Sequence, residues 1–138
     1  MLSYKKTLRK IIEHAKQEYP KEACGILIKG NCRTSPKIYQ MTNISEEPIK
    51  NYLLDPREQV LLFRELNFDE NKILAIYHSH ISSEPYPSSK DIELAYPNIL
   101  YLIISLQDFN KPVIKGFKIH KGKIIENPTL PSTSEIHQ

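Results

Sequence analysis

Cysteine is scarce in this chain. Cys24 and Cys32 are the only two in 138 residues, and they form no C-x-x-C pair. Such a count excludes a disulfide-built scaffold and a cysteine metal framework. Met1–Lys6 does not open a signal peptide, so two reduced thiols in the cytoplasm are expected. Charge of one sign is also lacking: 19 Lys and Arg against 16 Asp and Glu leave an excess of 19 − 16 = 3. That excess is small and scattered, and it argues against a nucleic-acid partner. No apolar run reaches the length of a membrane span. The longest, Ile99–Leu106, is strand-sized and interrupted by Tyr101 and Ser105. Internal repeats are absent.

A chain of this length makes one domain and buries enough surface to fold without staples. Residues 1–126 read as that domain and 127–138 as a mobile tail with two prolines and several Ser and Thr. Within the tail, Leu130-Pro-Ser-Thr-Ser faintly resembles a sortase signal, but it lacks the Gly and the hydrophobic anchor. Leu8, Ile11, Ile12 and Ala15 recur at helical spacing over Tyr4–Glu18, and Pro20 closes that helix. Glu22–Ile28 reads as a buried strand, Lys37–Asn43 and Asn51–Leu54 as two more. Asp55-Pro56 opens a helix, with Asp as cap and Pro in the first turn. Val60, Leu61, Phe63 and Leu66 are its expected apolar face. Ile73–His78 is a strand, and Ser88 or Ser89 caps a short helix that stops before Pro97. Ile99–Leu106, then a hairpin of Val113–His120 and Lys123–Glu126, complete the chain. The order α-β-β-β-α-β-α-β-β-β implies an α/β domain, a mixed sheet with helices packed on it.

Chemistry concentrates in Ile76–Asp91, I-Y-H-S-H-I-S-S-E-P-Y-P-S-S-K-D. Strand residues two apart share a face, so His78 and His80 can present their rings together. Imidazole pairs of this kind suit zinc. Two surface histidines at a strand end are the plain alternative. Asp91, in the first turn of the next helix, can add a carboxylate oxygen and leave the fourth position open, as in catalytic zinc sites. Ser88-x-x-Asp91 also fits a capping box, the favoured reading when the histidines are left aside. If Asp91 binds metal, it should be turned away from that cap. A water attacking a carbonyl needs a base, and Glu22 is the candidate. A carboxylate heading an apolar strand is costly unless it is partnered or exposed. On local pattern the commoner reading is a solvated residue after the Pro20-Lys21 turn.

The set Glu22 … His78-Ser79-His80-x7-Ser88-x-x-Asp91 resembles the JAMM motif of the JAMM/MPN+ metalloproteases. The resemblance extends through Glu22-Ala-Cys-Gly-Ile-Leu, Asn43, Tyr52-Leu-Leu-Asp-Pro56, Tyr86-Pro-Ser-Ser-Lys-Asp91 and Tyr101-Leu-Ile-Ile-Ser105, all similar to the small bacterial and archaeal branch. It implies a curved mixed sheet between helices, related to cytidine deaminases, and hydrolysis of a peptide or isopeptide bond. It implies that His78, His80 and Asp91 bind Zn2+, that Glu22 shuttles the proton, and that Ser88 donates to the oxyanion. Minimal prokaryotic members are associated with ubiquitin-like or sulfur-carrier proteins ending in Gly-Gly, cut after the diglycine. A narrow channel taking only glycine would account for that specificity. Dimerisation is left open. Bacterial relatives commonly place Pro after the second His, whereas Ile81 stands here, which loosens the loop leaving the site.

Cys24 shares the face of Glu22 and is expected to be a small buried apolar group. His14, His120 and His137 belong to no motif and read as surface residues. A non-catalytic interaction module of the MPN type is the main alternative, although such modules typically lack ligands that this chain keeps. A zinc deaminase would need H-x-E and P-C-x-x-C, and neither occurs.

Overall fold

The computed structural model describes residues 4–31 and 34–127. Cys32, His137 and the tail beyond Asn127 therefore lie outside the described residues. Helix α1 (Lys5–Glu18) buries Leu8, Ile11, Ile12 and Ala15, the stripe that its periodicity predicts. After a cis Tyr19-Pro20 bond come strands β1 (Cys24–Ile28) and β2 (Lys37–Met41). Helix α2 (Pro56–Glu65) starts at Asp55, whose side chain accepts from the Arg57 N–H at 2.9 Å. A 3-10 turn (Glu70–Lys72) leads into β3 (Ile73–His80), followed by α3 (Ser89–Leu94) and β4 (Leu100–Ser105). The β5–β6 hairpin (Val113–His120, Lys123–Asn127) turns on Lys121 and Gly122 at φ 50 and 76, the left-handed pair a two-residue hairpin demands.

The six strands form one mixed sheet in the order β2-β1-β3-β4-β5-β6. Only β3 and β4 run parallel, joined through α3; every other pair is antiparallel. One face, with Leu27, Ala75, Tyr77, Leu102 and Ile104, packs on α1. The opposite face, with Cys24, Ile26, Ile76 and Tyr101, lies under Leu62 of α2 and Leu66 at its end. Among the described residues no helix is long and apolar enough to cross a membrane.

Three expectations fail here, each for a physical reason. Asn51–Leu54 is not a strand, because among the described residues its only ladder contact is the isolated bridge Asn43↔Leu54. The Asn43 side chain takes the neighbouring peptide groups instead, donating to Asn51 O at 3.0 Å and accepting from Leu53 N at 3.1 Å. The element order is therefore one strand shorter. In α2, Val60 and Leu61 are 46% and 60% exposed. At about 100° per residue, Val60 lies on the far side of the helix from Leu62, and the packed side is Leu62 with half-buried Phe63 and, just past the helix end, Leu66. His14 is buried rather than on the surface, as it follows Ile11 by one turn and its Nδ1 meets the Tyr77 hydroxyl at 2.7 Å.

Gly25 makes that last contact possible. It pairs with Tyr77 across β1 and β3, and a methyl group on it would collide with the Tyr77 ring. Gly25→Ala should therefore cost about 1–3 kcal/mol of stability by overpacking. Urea unfolding would check this; an unchanged midpoint would mean that Tyr77 can move without loss.

Candidate metal site

Register carries the site. Cys24 pairs with His78 in the antiparallel β1–β3 ladder. One step further, Ala23 N donates to Ser79 Oγ at 2.7 Å and Ser79 N donates to Ala23 O at 3.0 Å. Continuing that pairing sets Glu22 opposite His80. Ser79, between the two histidines, thus points to the other face of β3 and clasps the residue beside Glu22. The Glu22 backbone is held twice more, its N–H donating to Pro48 O at 2.7 Å and its carbonyl accepting from Asn43 Nδ2 at 3.0 Å.

His78 and His80 project to one face, as their spacing predicts. Their Nε2 atoms stand 3.1 Å apart, and Asp91 Oδ2 lies 3.0 Å from the first and 3.1 Å from the second. All three side chains are buried or half-buried. The His80 Nδ1 lies 2.9 Å from Glu84 O, which can only accept. Nδ1 therefore carries the hydrogen, and in a neutral ring the Nε2 lone pair faces Asp91 and His78. Two ring nitrogens and a carboxylate oxygen converging on one point can hold a metal ion.

Asp91 is not turned away from the cap. The same Oδ2 accepts from Ser88 N at 2.9 Å, while Ser88 Oγ accepts from Asp91 N at 3.1 Å, completing a capping box on α3. The expectation of a choice between the two roles was too strict, since an ionised carboxylate offers about four acceptor positions. The cap fixes the rotamer that aims Asp91 at the histidines. Ser88 itself is exposed at the mouth of the site. Ile81 does not leave its loop loose. Ser105 Oγ donates to Ser83 O at 2.6 Å, and the His80 bond to Glu84 O ties the next residue.

Electrostatics separates the carboxylates. Burial opposes charge on Asp91, but the hydrogen bonds with His78 and His80 and from Ser88 N outweigh it and hold Asp91 well below the usual carboxylate range. Glu22 is 5% exposed, and burial pushes it up to about 8; the His80 ring pulls it down and Asp91 adds to the rise. Burial likewise lowers His78, whereas His80 is raised because the bonds to Asp91 and Glu84 O exceed the cost of burial. Two carboxylates in one site with opposed shifts are the pattern that divides an acid–base group from a fixed anion. Cys24 takes no part. Burial pushes its thiol up to about 12, and its Sγ faces Met41 O at 3.7 Å, as expected of a small buried group.

Residues 4–119 match the family model described as prokaryotic homologs of the JAB domain. The CysO-cysteine peptidase of Mycobacterium tuberculosis is 34% identical over 121 residues, 86% of this chain and 82% of that protein. The chain belongs to the prokaryotic JAB family. This is the small prokaryotic branch of the JAMM/MPN+ peptidases expected from the motif, and the chain is a hydrolase of that kind. A desampylase of Haloferax volcanii is 35% identical over 101 residues, covering 69% of this chain and 73% of its own. Among solved structures, a Desulfitobacterium hafniense protein superposes with a TM-score of 0.72 at 35% identity, covering 88% of this JAB chain and 86% of the other.

Four residues that shape this JAB site carried no assigned role in the sequence. Tyr52 stacks on the His78 ring, with centroids 4.2 Å apart and planes 19° from parallel. Asn43, Ser79 and Ser105 hold backbone around Glu22 and His80. Ser79 sits inside the motif, and Asn43, Tyr52 and Ser105 inside matching segments, but each acts through a partner at least 21 positions away in sequence. Local pattern gives no hint of such contacts.

Proposed function

We propose that this JAB chain is a zinc-dependent peptidase that hydrolyses the peptide or isopeptide bond after the C-terminal Gly-Gly of a ubiquitin-like or sulfur-carrier protein, in the cytoplasm. The observation that carries the reading is the convergence of His78, His80 and Asp91 on one point, with Glu22 opposite His80. The donor set fits zinc. Ligand atoms of a tetrahedral zinc at about 2.0–2.1 Å stand about 3.3 Å apart, and these three are separated by 3.0 to 3.1 Å. Bound at these atoms, zinc would supply a Lewis acid that activates water and polarises the scissile carbonyl.

The rest of the chemistry falls to the chain. Glu22, raised toward neutrality, suits a base that takes a proton from the attacking water and returns it to the leaving amine. Ser88 Oγ accepts from Asp91 N, so its own hydrogen stays available to the developing oxyanion. Asp91 stays fixed through the cycle by the cap, and the His80 ring by Glu84 O. The names of the relatives, a CysO-cysteine peptidase and a desampylase, support a carrier or modifier protein as substrate. A silent interaction module would have no use for a buried, destabilised Glu22.

The test is a ubiquitin-like carrier ending in Gly-Gly and extended through either a peptide or a lysine isopeptide bond. Zinc-loaded protein should release the extension after the second glycine, as read by mass spectrometry. A chelator should stop the reaction and added zinc restore it. Changing the last glycine to alanine should slow cleavage by about 100-fold, the scale of a lost near-attack geometry. A protein that carries zinc and binds such a carrier, yet cuts neither linkage, would leave the interaction-module reading in its place.

A further inference from the structure

The two ring ligands are oriented in different ways. A metal-binding histidine ordinarily donates its second N–H to an acceptor, which fixes tautomer and ring rotation together. His80 follows that rule through Glu84 O at 2.9 Å. His78 does not. Its Nδ1 is buried and has no hydrogen-bond partner among the described residues. With Nε2 facing His80 and Asp91, no polar contact at the other nitrogen stops the ring from turning about its soft terminal torsion.

A flat neighbour restrains it instead. The Tyr52 ring lies 4.2 Å from the His78 ring at 19°, close to face-to-face. Tyr52 belongs to no strand; it sits in the segment whose ladder Asn43 replaces. Asn43 accepts from Leu53 N at 3.1 Å and donates to Asn51 O at 3.0 Å, the peptides on either side of Tyr52. Its amide also holds Glu22 O. One side chain thus fixes both the base strand and the segment bearing the stacking ring.

We propose that Tyr52 is a positioning residue for His78: its ring face, seated by the Asn43 clamp, sets the plane of the metal-binding imidazole in place of the missing hydrogen bond. The proposal rests on the metal reading above and goes beyond it by naming what orients one ligand. The ring face is the working part, so the hydroxyl should be dispensable.

Zinc affinity, by competition with a chromophoric chelator, and the visible spectrum of the Co2+-substituted protein would be measured for wild type, Tyr52→Phe and Tyr52→Leu. Tyr52→Phe should stay within about twofold of wild type with an unchanged Co2+ spectrum. Tyr52→Leu should bind at least about tenfold more weakly, the loss typical of a missing ligand-orienting partner, with altered Co2+ bands. Circular dichroism would confirm its fold, and Tyr52→Met would replace it if it does not fold. A folded Leu or Met variant with wild-type affinity and spectrum overturns the proposal. So does a tenfold loss in Tyr52→Phe, which would assign the effect to the hydroxyl. Absence of stoichiometric zinc in wild type would instead overturn the metal reading itself.

Discussion

Asp91→Ala should lower zinc affinity by more than about 100-fold, beyond the loss seen when only a supporting partner is removed. The substitution deletes the one oxygen that both Nε2 atoms approach, at 3.0 and 3.1 Å. It also deletes the acceptor for Ser88 N, so α3 loses half of its capping box, worth about 1 kcal/mol. Asp91→Asn separates the two effects. Its amide oxygen can still accept from Ser88 N and keep the helix start, but it lacks the charge that the metal requires. Equal stability with lost zinc in the Asn variant, and both losses in the Ala variant, is the expected pair of results from calorimetry and metal analysis. Wild-type zinc affinity in either variant would remove Asp91 from the ligand set.

Glu22→Gln should make the metal-free protein more stable in alkali, an inversion of the usual effect of mutation. The sign follows from the raised value. Glu22 titrates near 8 when folded and near 4.5 when unfolded, so folding favours its protonated form. Below about pH 4.5 that preference is fully expressed. As the pH climbs to 8 the unfolded chain ionises freely while the folded one resists, and stability drains away. A shift of this size corresponds to about 4 kcal/mol at pH 8 and under about 1 kcal/mol at pH 5. Glutamine carries no such penalty. Urea titrations of chelator-treated wild type and Glu22→Gln at both pH values would show it, with His14 and the other groups that do not face Glu22 common to both proteins and cancelling. A stability gap that does not grow with pH would mean that Glu22 is solvated. A bound cation should narrow the gap, because it favours the carboxylate that burial opposes. A gap that grows with pH would mark Glu22 as a group held for function at a cost to stability.

What could be read from the sequence was whatever repeats at short range. The stripe Leu8, Ile11, Ile12, Ala15 gave α1, Asp55-Pro56 marked the start of α2, and the two-residue spacing of His78 and His80 gave their common face. Glu22 joined them through the motif, not through local pattern, because its partner His80 depends on a β1–β3 pairing that brings distant segments together. The misreadings share a cause. Asn51–Leu54 has strand composition, but the Asn43 side chain intercepts its peptide groups; His14 is polar, but Tyr77 satisfies it in the core. Tyr52 is the sharpest case. Nothing near it in sequence distinguishes a ring that covers His78 from an ordinary half-buried tyrosine. Side chains that act on another segment's backbone or ring leave no periodic trace.

Bound zinc and turnover, measured on the same samples of wild type and Glu22→Gln with a Gly-Gly-linked carrier fusion, test the centre most directly. One zinc per chain in both proteins, cleavage by wild type, and a rate lower by about 100- to 10,000-fold in Glu22→Gln are the predicted results. Equal rates in the two proteins at equal zinc content would contradict it.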